Sequence, residues 1–468
     1  MRRLLASSIV SSIGVACATA LVLPPTLPAA AATASRADSV AAAARYDLPG
    51  STRSLPLRPL GALARAIGSP AAGELGLTRR DVRRFSMVGV VWDDPDTELH
   101  GRVQVRTRAT GSGVWSGWQD LETHNDDAAD PGAAERASGR VRGSTAPLWV
   151  GDSDGVEVRV RAESGAPAKA PAPRTRAASG AAALPSGLRL ELVDPGGQGG
   201  APGTPGAAPR TGTLGAEPAE ALAASAANAD VAPLGATEIP ELSRAATERE
   251  LRTLGEPELT AAQRAKPYIG PRPRIITRRG WGADEKLREK GFVYTKKVKV
   301  AFVHHTSSGN GYRCSQAASV IRGIYRYHVK SMGWRDIGYN FLVDKCGNIY
   351  EGRAGGVAKA VYGAHTLGFN TNSMGVAVLG SFGSHKPPAA ALRAISRLTA
   401  WKLGLYGANP RGKAYLTSSG GNLYRKGKNV RLQVISGHRD GFATACPGTQ
   451  LYRKLGTARS TAARYQGR

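Results

Sequence analysis

Two histidines and a cysteine, His304, His438 and Cys446, stand far apart in a chain of 468 residues, and they are the donor types of a zinc site that keeps one position open. Three protein ligands leave the fourth place of a tetrahedral ion to a reactive water. None of the three is informative alone, since a lone buried histidine is more often a structural hydrogen-bonding group. His304 ends the apolar run that starts at Val298, His438 follows a second apolar run through the turn Ser436-Gly437, and Cys446 comes eight residues later, directly before Pro447-Gly448. The spacing permits convergence if the two runs are neighbouring strands, and does not by itself show it.

The elements that would have to position these residues can be read from hydrophobic period. Val298 to His304 is apolar on both faces for most of its length, as in a central strand. Ser315 to Lys330 carries Val320, Ile321, Ile324 and His328 on one helical face. Tyr339 to Val343 and Asn348 to Glu351 form a hairpin turned by Asp344-Lys345-Cys346-Gly347. A strand from Met374 to Leu379, a helix from Ala389 to Leu403, a strand from Val430 to Ile435 and a helix starting at Pro447 complete the series. The sum, over residues 268–468, is an α/β domain with a mixed central β-sheet flanked by helices.

Upstream the period changes to two. Phe85 to Trp92, Gly101 to Thr107, Val156 to Val160 and Leu188 to Val193 alternate apolar and polar residues, so 85–195 reads as an all-β domain, sandwich or barrel-like, with a disordered insertion at 165–183. Trp92, Trp115, Trp118 and Trp149 fall in it and suit either a packed core or stacking on sugar rings. Residues 35–84 form a poorly defined N-terminal segment. Residues 196–267, of low complexity, read as a disordered linker that would let a catalytic module sweep around an anchored domain. Met1 to Ala34 has a basic start, an apolar run to Leu23 and small residues at cleavage spacing, which is a secretory signal peptide.

Charge and cysteines narrow the setting. Residues 270–468 hold 34 Lys and Arg against 7 Asp and Glu, and residues 1–269 hold 29 of each, so the whole net charge of +27 belongs to the C-terminal part. Such a surface attracts polyanions. Export excludes nucleic acid and leaves an anionic cell wall, so anionic wall polymers are expected partners, with affinity that weakens in salt. After signal removal no transmembrane segment is expected, and the chain is read as a monomer that is secreted and wall-associated. Cys17 leaves with the signal, and three cysteines remain in an oxidising compartment. The economical partition pairs Cys314 with Cys346 and leaves Cys446 as a thiolate.

Five stretches then resemble a known family. Phe302-Val303-His304-His305-Thr306, Gly333 to Val343, Gly347 to Arg353, Gly363-Ala364-His365-Thr366 to Asn370, and Ser436 to Asp440 with Cys446-Pro447-Gly448 are similar, in order, to the peptidoglycan recognition protein and type-2 amidase superfamily. The resemblance implies a zinc-dependent N-acetylmuramoyl-L-alanine amidase that hydrolyses the amide between N-acetylmuramic acid and the L-alanine of the stem peptide. It carries zinc onto His304, His438 and Cys446, and gives Tyr339 and Thr444 as catalytic residues that orient the water and stabilise the oxyanion. It places His365, Asn370, Arg353 and Trp334 in the substrate groove, and His305 on the opposite strand face. Many members have a close cysteine pair straddling the first helix, whereas this chain has Cys314 alone, with Val320 where the second would fall. Two other functions stay open at this level: a peptidoglycan-binding protein without activity, and a zinc peptidase cutting within the stem peptide. Receptor members often lose the zinc cysteine, which this chain keeps.

Overall fold

The alternating residues of the N-terminal half build one antiparallel sheet of eight strands: β1 (Ser51–Pro56), β2 (Arg58–Pro59), β3 (Glu74–Trp92), β4 (Gly101–Ala109), β5 (Gln119–Leu121), β6 (Gly143–Ser144), β7 (Leu148–Ala162) and β8 (Arg189–Asp194). The computed structural model describes residues 49–60, 74–123, 126–163, 183–197, 218–254, 259–265 and 267–468. The signal peptide over 1–34 and nearly all of the insertion 165–183 lie outside them. Strand β3 pairs with β7 along one side and β8 along the other. Register shifts between Leu77 and Met87 break its pairing with β7, and such bulges bend a strand. The alternation puts Val103, Val105, Val156, Val158, Val160, Leu190 and Leu192 into one buried core.

Part of the segment expected to be poorly defined, 35–84, is therefore built into this sheet. Strand β1 pairs with β8 over its whole length. Its alternation was hidden because STRSLP has a single large apolar residue, Leu55. The four tryptophans form no exposed platform. Trp92 is buried and donates from Nε1 to the Thr97 carbonyl at 2.8 Å, and Trp118 lies under the guanidinium groups of Arg106 and Arg159.

The C-terminal half is a seven-stranded mixed sheet made of β9 (Glu238–Ile239), β10 (Ile275–Ile276), β11 (Val300–His305), β12 (Phe341–Val343), β13 (Ile349–Glu351), β14 (Ser373–Val378) and, after the small ribbon of β15 (Lys413–Thr417) and β16 (Asn429–Gln433), β17 (Ile435–Gly437). Its order is β17-β11-β14-β12-β13-β10-β9. All six residues of β11 are buried, as a strand apolar on both faces requires. Helices Ala317–Arg326 and Ala389–Leu405 accompany the sheet. The first is wholly buried, so its one-faced pattern understates its environment. Cys314 and Cys346 are disulfide-bonded, 32 residues apart.

The linker expected over 196–267 is folded where it is described. Ala219–Ala226 and Arg244–Thr253 are helices, the second capped by the Ser243 hydroxyl, and β9 adds the outermost strand beside β10. Alanine-rich sequence reads as low complexity, yet alanine is the best helix former and needs only a surface to pack on. Free sweeping of one module around the other is ruled out as well. Tyr46–Arg468 is one compact unit, and Met87, Val91, Val141 and Val193 of the β-domain share a core with Ile321, Ile324 and Tyr327. Burying one such side chain is worth about 1.5–3 kcal/mol. The Tyr327 hydroxyl, inside that core, donates to the Thr145 carbonyl at 3.1 Å.

Candidate metal centre

The register of parallel strands brings the two histidines together. Strand β11 pairs with β17 so that Val303 stands opposite Gly437, and the residues that follow them are His304, still on β11, and His438, just past the end of β17. Their rings lie 4.5 Å apart between centroids. The chain then makes a short 3-10 turn at His438–Asp440 and returns through Gly441 to Cys446, where the Arg439 N–H donates to the Cys446 carbonyl at 3.1 Å. That bond closes the loop and sets the thiol against β11. The Cys446 sulfur stands 3.8 Å from His304 Nδ1, and the ligand atoms of His304, His438 and Cys446 all lie within 4.8 Å of one another.

The donor set suits a metal for reasons visible in the protein itself. Both ring nitrogens of His438 are buried without a hydrogen-bond partner, a costly arrangement for a polar group. His304 makes its contact with the Thr366 hydroxyl through Nε2, at 3.3 Å, which leaves Nδ1 to face the sulfur. Burial pushes the Cys446 thiol up, which favours the neutral thiol, and holds His438 down to about 3, which keeps its imidazole neutral; the sulfur would ionise here only beside a cation. His305 points to the other face, where its Nδ1 accepts from the Phe382 N–H, and it meets the sulfur through its backbone, the N–H at 3.5 Å and the carbonyl at 4.0 Å.

Tyr339 is buried at the end of the loop before β12, its ring 5.6 Å from that of His304. Burial, reinforced by a neighbouring carboxylate, raises its hydroxyl well above the usual tyrosine range and keeps it a donor. Thr444 sits half-buried on the loop to Cys446, and its hydroxyl accepts the Cys446 N–H at 3.2 Å, a loop-capping contact that fixes the thiol. His365 is buried beside His304, with ring centroids 5.3 Å apart, and fits because Gly375 of β14 has no side chain: a Cβ there would lie 2.5 Å from the His365 ring. Burial, together with His304, depresses His365 well below the usual histidine range.

The remaining residues expected in a substrate groove are engaged by a segment that pattern reasoning passed over. Residues 126–135 of the β-domain lie against them. Asn370 accepts the His365 N–H with its side-chain oxygen and donates from Nδ2 to Asp130 at 2.8 Å and to the Ala128 carbonyl at 2.9 Å. Arg353 makes a two-pronged ion pair with Glu135, both bonds 2.9 Å, with both side chains buried. Trp334 is buried against His328, with centroids 4.5 Å apart, and lines a cavity of about 150 Å³ together with Asp126, Asp127 and Phe442. Asp127 reaches the centre: Oδ2 accepts the Tyr339 hydroxyl at 2.6 Å, and Oδ1 lies 3.0 Å from His304 Nδ1 and 3.4 Å from His438 Nδ1. Burial would raise this carboxyl, and His304, His438 and the tyrosine hydroxyl outweigh it and hold it below the usual carboxylate range. The one signal in the sequence was a knot of acidic residues, Asp126, Asp127, Asp130 and Glu135, upstream of a strongly basic domain.

Comparison with known proteins agrees with this division. The family described as N-acetylmuramoyl-L-alanine amidase matches residues 294–449, and one described as Rv3811 N-terminal galactose-binding domain-like matches residues 39–179. The chain is 33% identical over 186 residues to peptidoglycan-recognition protein SC2 of Drosophila simulans, covering 39% of this chain and 85% of that one. It is 32% identical over 193 residues to peptidoglycan recognition protein 1 of Bos indicus, covering 38% and 80%. Among solved structures, peptidoglycan recognition protein-LE in complex with tracheal cytotoxin aligns at 31% identity and a TM-score of 0.30, covering 39% of this chain and 92% of that one.

Proposed function

Since the chain belongs to the peptidoglycan recognition protein and type-2 amidase superfamily, we propose that it is a secreted, zinc-dependent N-acetylmuramoyl-L-alanine amidase that separates the stem peptide from N-acetylmuramic acid. The observation that carries this reading is the buried convergence of His304, His438 and Cys446. A receptor has no chemical need for a thiol and two imidazoles aimed at one point.

His304, His438 and Cys446 would hold zinc, which when bound would supply a Lewis acid for the amide carbonyl and lower the pKa of a water. The Thr366 hydroxyl meets His304 Nε2 at 3.3 Å and, by accepting from it, would favour the tautomer that presents Nδ1 to the ion. Thr444 holds the loop that carries the thiol, and acts on the reaction through that loop. Tyr339 offers a protonated hydroxyl where negative charge develops on the carbonyl oxygen, the role of an oxyanion-hole donor. Arg353 and Trp334 belong to the walls along which the stem peptide lies, and the basic surface draws the chain to its polyanionic wall.

The bond is identified by mass spectrometry of digested peptidoglycan. Free stem peptides beginning with L-alanine, with glycan left bearing intact lactyl groups, are expected. Stems shortened from within would replace this reading by a zinc peptidase, and unaltered peptidoglycan that nonetheless retains the protein would replace it by a binding protein.

A further inference from the structure

The Asp127 carboxylate is more than 90% buried, and its Oδ1 has no hydrogen-bond partner although two imidazole nitrogens stand within 3.4 Å. A buried charged oxygen without a hydrogen bond is costly unless a cation shares its lone pair. Donors at about 2.0–2.3 Å from a tetrahedral zinc stand about 3.3–3.7 Å from one another. The spacings here, 3.0 and 3.4 Å from Asp127 Oδ1 to the two Nδ1 atoms and 3.8 Å from His304 Nδ1 to the Cys446 sulfur, straddle that range. Oδ1 therefore adjoins both imidazoles of the donor set, while the group whose ligand atoms all lie within 4.8 Å of one another is His304, His438 and Cys446, so binding the ion as well would draw Asp127 in from the histidine side.

The contacts flanking Asp127 are directed in the same way. Asp130 takes the Asn370 amide and the Gly368 N–H, the latter at 2.8 Å, and Glu135 takes Arg353. Three carboxylates on a stretch of ten residues thus meet the metal centre and two groove positions, and Ala129 between them is buried in the core shared by the two domains. An acidic, alanine-containing peptide is laid where an acidic, alanine-containing stem peptide would lie.

Building on the amidase reading for the ion itself, we propose that Asp127 is a fourth metal ligand supplied by the β-domain, and that residues 126–135 fill the substrate groove so that the folded chain is a latent hydrolase. Access to the scissile amide requires this segment to leave, and peptidoglycan competes for the groove by mass action. Apparent affinity is then reduced by the fraction of molecules in which the segment is displaced.

The test uses the full chain and two variants, Asp127→Ala and the shape-conserving Asp127→Asn, each loaded with Co²⁺ in place of zinc. The thiolate-to-cobalt absorption should persist in all three, while the ligand-field bands of both variants move away from those of the unaltered chain. Free stem tetrapeptide, which has no scissile bond, should bind the variants at least about tenfold more tightly. Zinc-loaded variants should release stem peptides from peptidoglycan faster than the unaltered chain. Unmoved ligand-field bands with equal tetrapeptide affinity overturn the proposal, and if the unaltered chain then hydrolyses as fast as the variants the amidase reading still stands. If bands and affinity move but no protein hydrolyses peptidoglycan, the latch stands and the amidase reading falls.

Discussion

Replacing Glu135 by alanine should weaken the junction between the two halves of the molecule, because the change strands the guanidinium of Arg353. Both side chains are buried, 3% and 4% exposed, and two bonds of 2.9 Å join them. Removing one partner of a buried pair costs about 3–5 kcal/mol. Counting two charge-assisted bonds at about 1.5–3 kcal/mol each gives a similar figure. Arg353 also donates to the Ile337 carbonyl at 2.8 Å, which Glu135→Ala leaves in place, so the lower part of the range, about 3 kcal/mol, is expected. The double variant Glu135→Ala with Arg353→Met removes the stranded charge and should recover about 2 kcal/mol of that loss, since an apolar replacement of a whole buried pair is often near neutral. Urea unfolding followed by fluorescence and by circular dichroism supplies the double-mutant cycle, with one coincident transition expected from the shared core. Additivity within about 0.5 kcal/mol would show that the two side chains are energetically independent and refute the reasoning. Two separate transitions, with only one of them shifted, would refute the common core.

Cys446→Ala should weaken zinc binding, measured by competition with a chelator of known affinity, because only His304, His438 and Asp127 are left as donors, and an affinity equal to that of the unaltered chain would remove Cys446 from the ligand set. Glu351 provides a pH test. Burial raises its carboxyl to about 7, against hydrogen bonds from Asn228 and Arg278. The folded state holds the proton more tightly than the unfolded chain, so this contribution is complete below about pH 4.5 and is lost as pH rises through about 7. Unfolding free energy of the unaltered chain should therefore fall relative to Glu351→Gln between about pH 5 and pH 8, and a difference that stays flat would contradict the assignment. Retention on purified peptidoglycan should weaken as sodium chloride rises from about 0.05 to about 0.5 M, and retention indifferent to salt would remove the basic surface from wall recognition.

Short-range pattern was enough to single out His304, His438 and Cys446, whose ligand atoms the fold brings within 4.8 Å of one another, and insufficient for what faces them. The run from Val298 to His304 is apolar on both faces because it is a central strand, and the Ser436-Gly437-His438 turn stays recognisable because strand ends keep their local chemistry. Whether β11 and β17 are neighbours is a matter of pairing, and the ordered motifs supplied it where spacing could not. Asp127 lies 177 residues before His304 in sequence. Its neighbours Asp126, Ala128, Ala129 and Asp130 have no period, so they read as an ordinary loop, and nothing local marks a carboxylate as aimed into another domain. The Ala/Glu/Leu-rich end of 196–267 has helical composition, and the helices Ala219–Ala226 and Arg244–Thr253 agree with it, but composition describes what a segment is made of, while its order comes from the surface it packs on. The contact of Thr444 with the Cys446 N–H is equally out of reach of pattern, since a threonine two residues before a ligand can face either the metal or its own backbone.

The two-residue strand Glu238–Ile239 bears on how the C-terminal half can be separated from the rest. It covers the outer side of Ile275–Ile276. A fragment cut to start at residue 268 would keep every motif of the amidase family and lose this cover, leaving open backbone N–H and C=O groups beside two buried isoleucines. A bare apolar margin of that kind templates pairing between copies. Starting the fragment at Pro218 keeps both helices and the covering strand, so this edge stays paired through fifty residues that contain none of the candidate site residues, although either fragment bares Ile321, Ile324 and Tyr327, which pack against the β-domain.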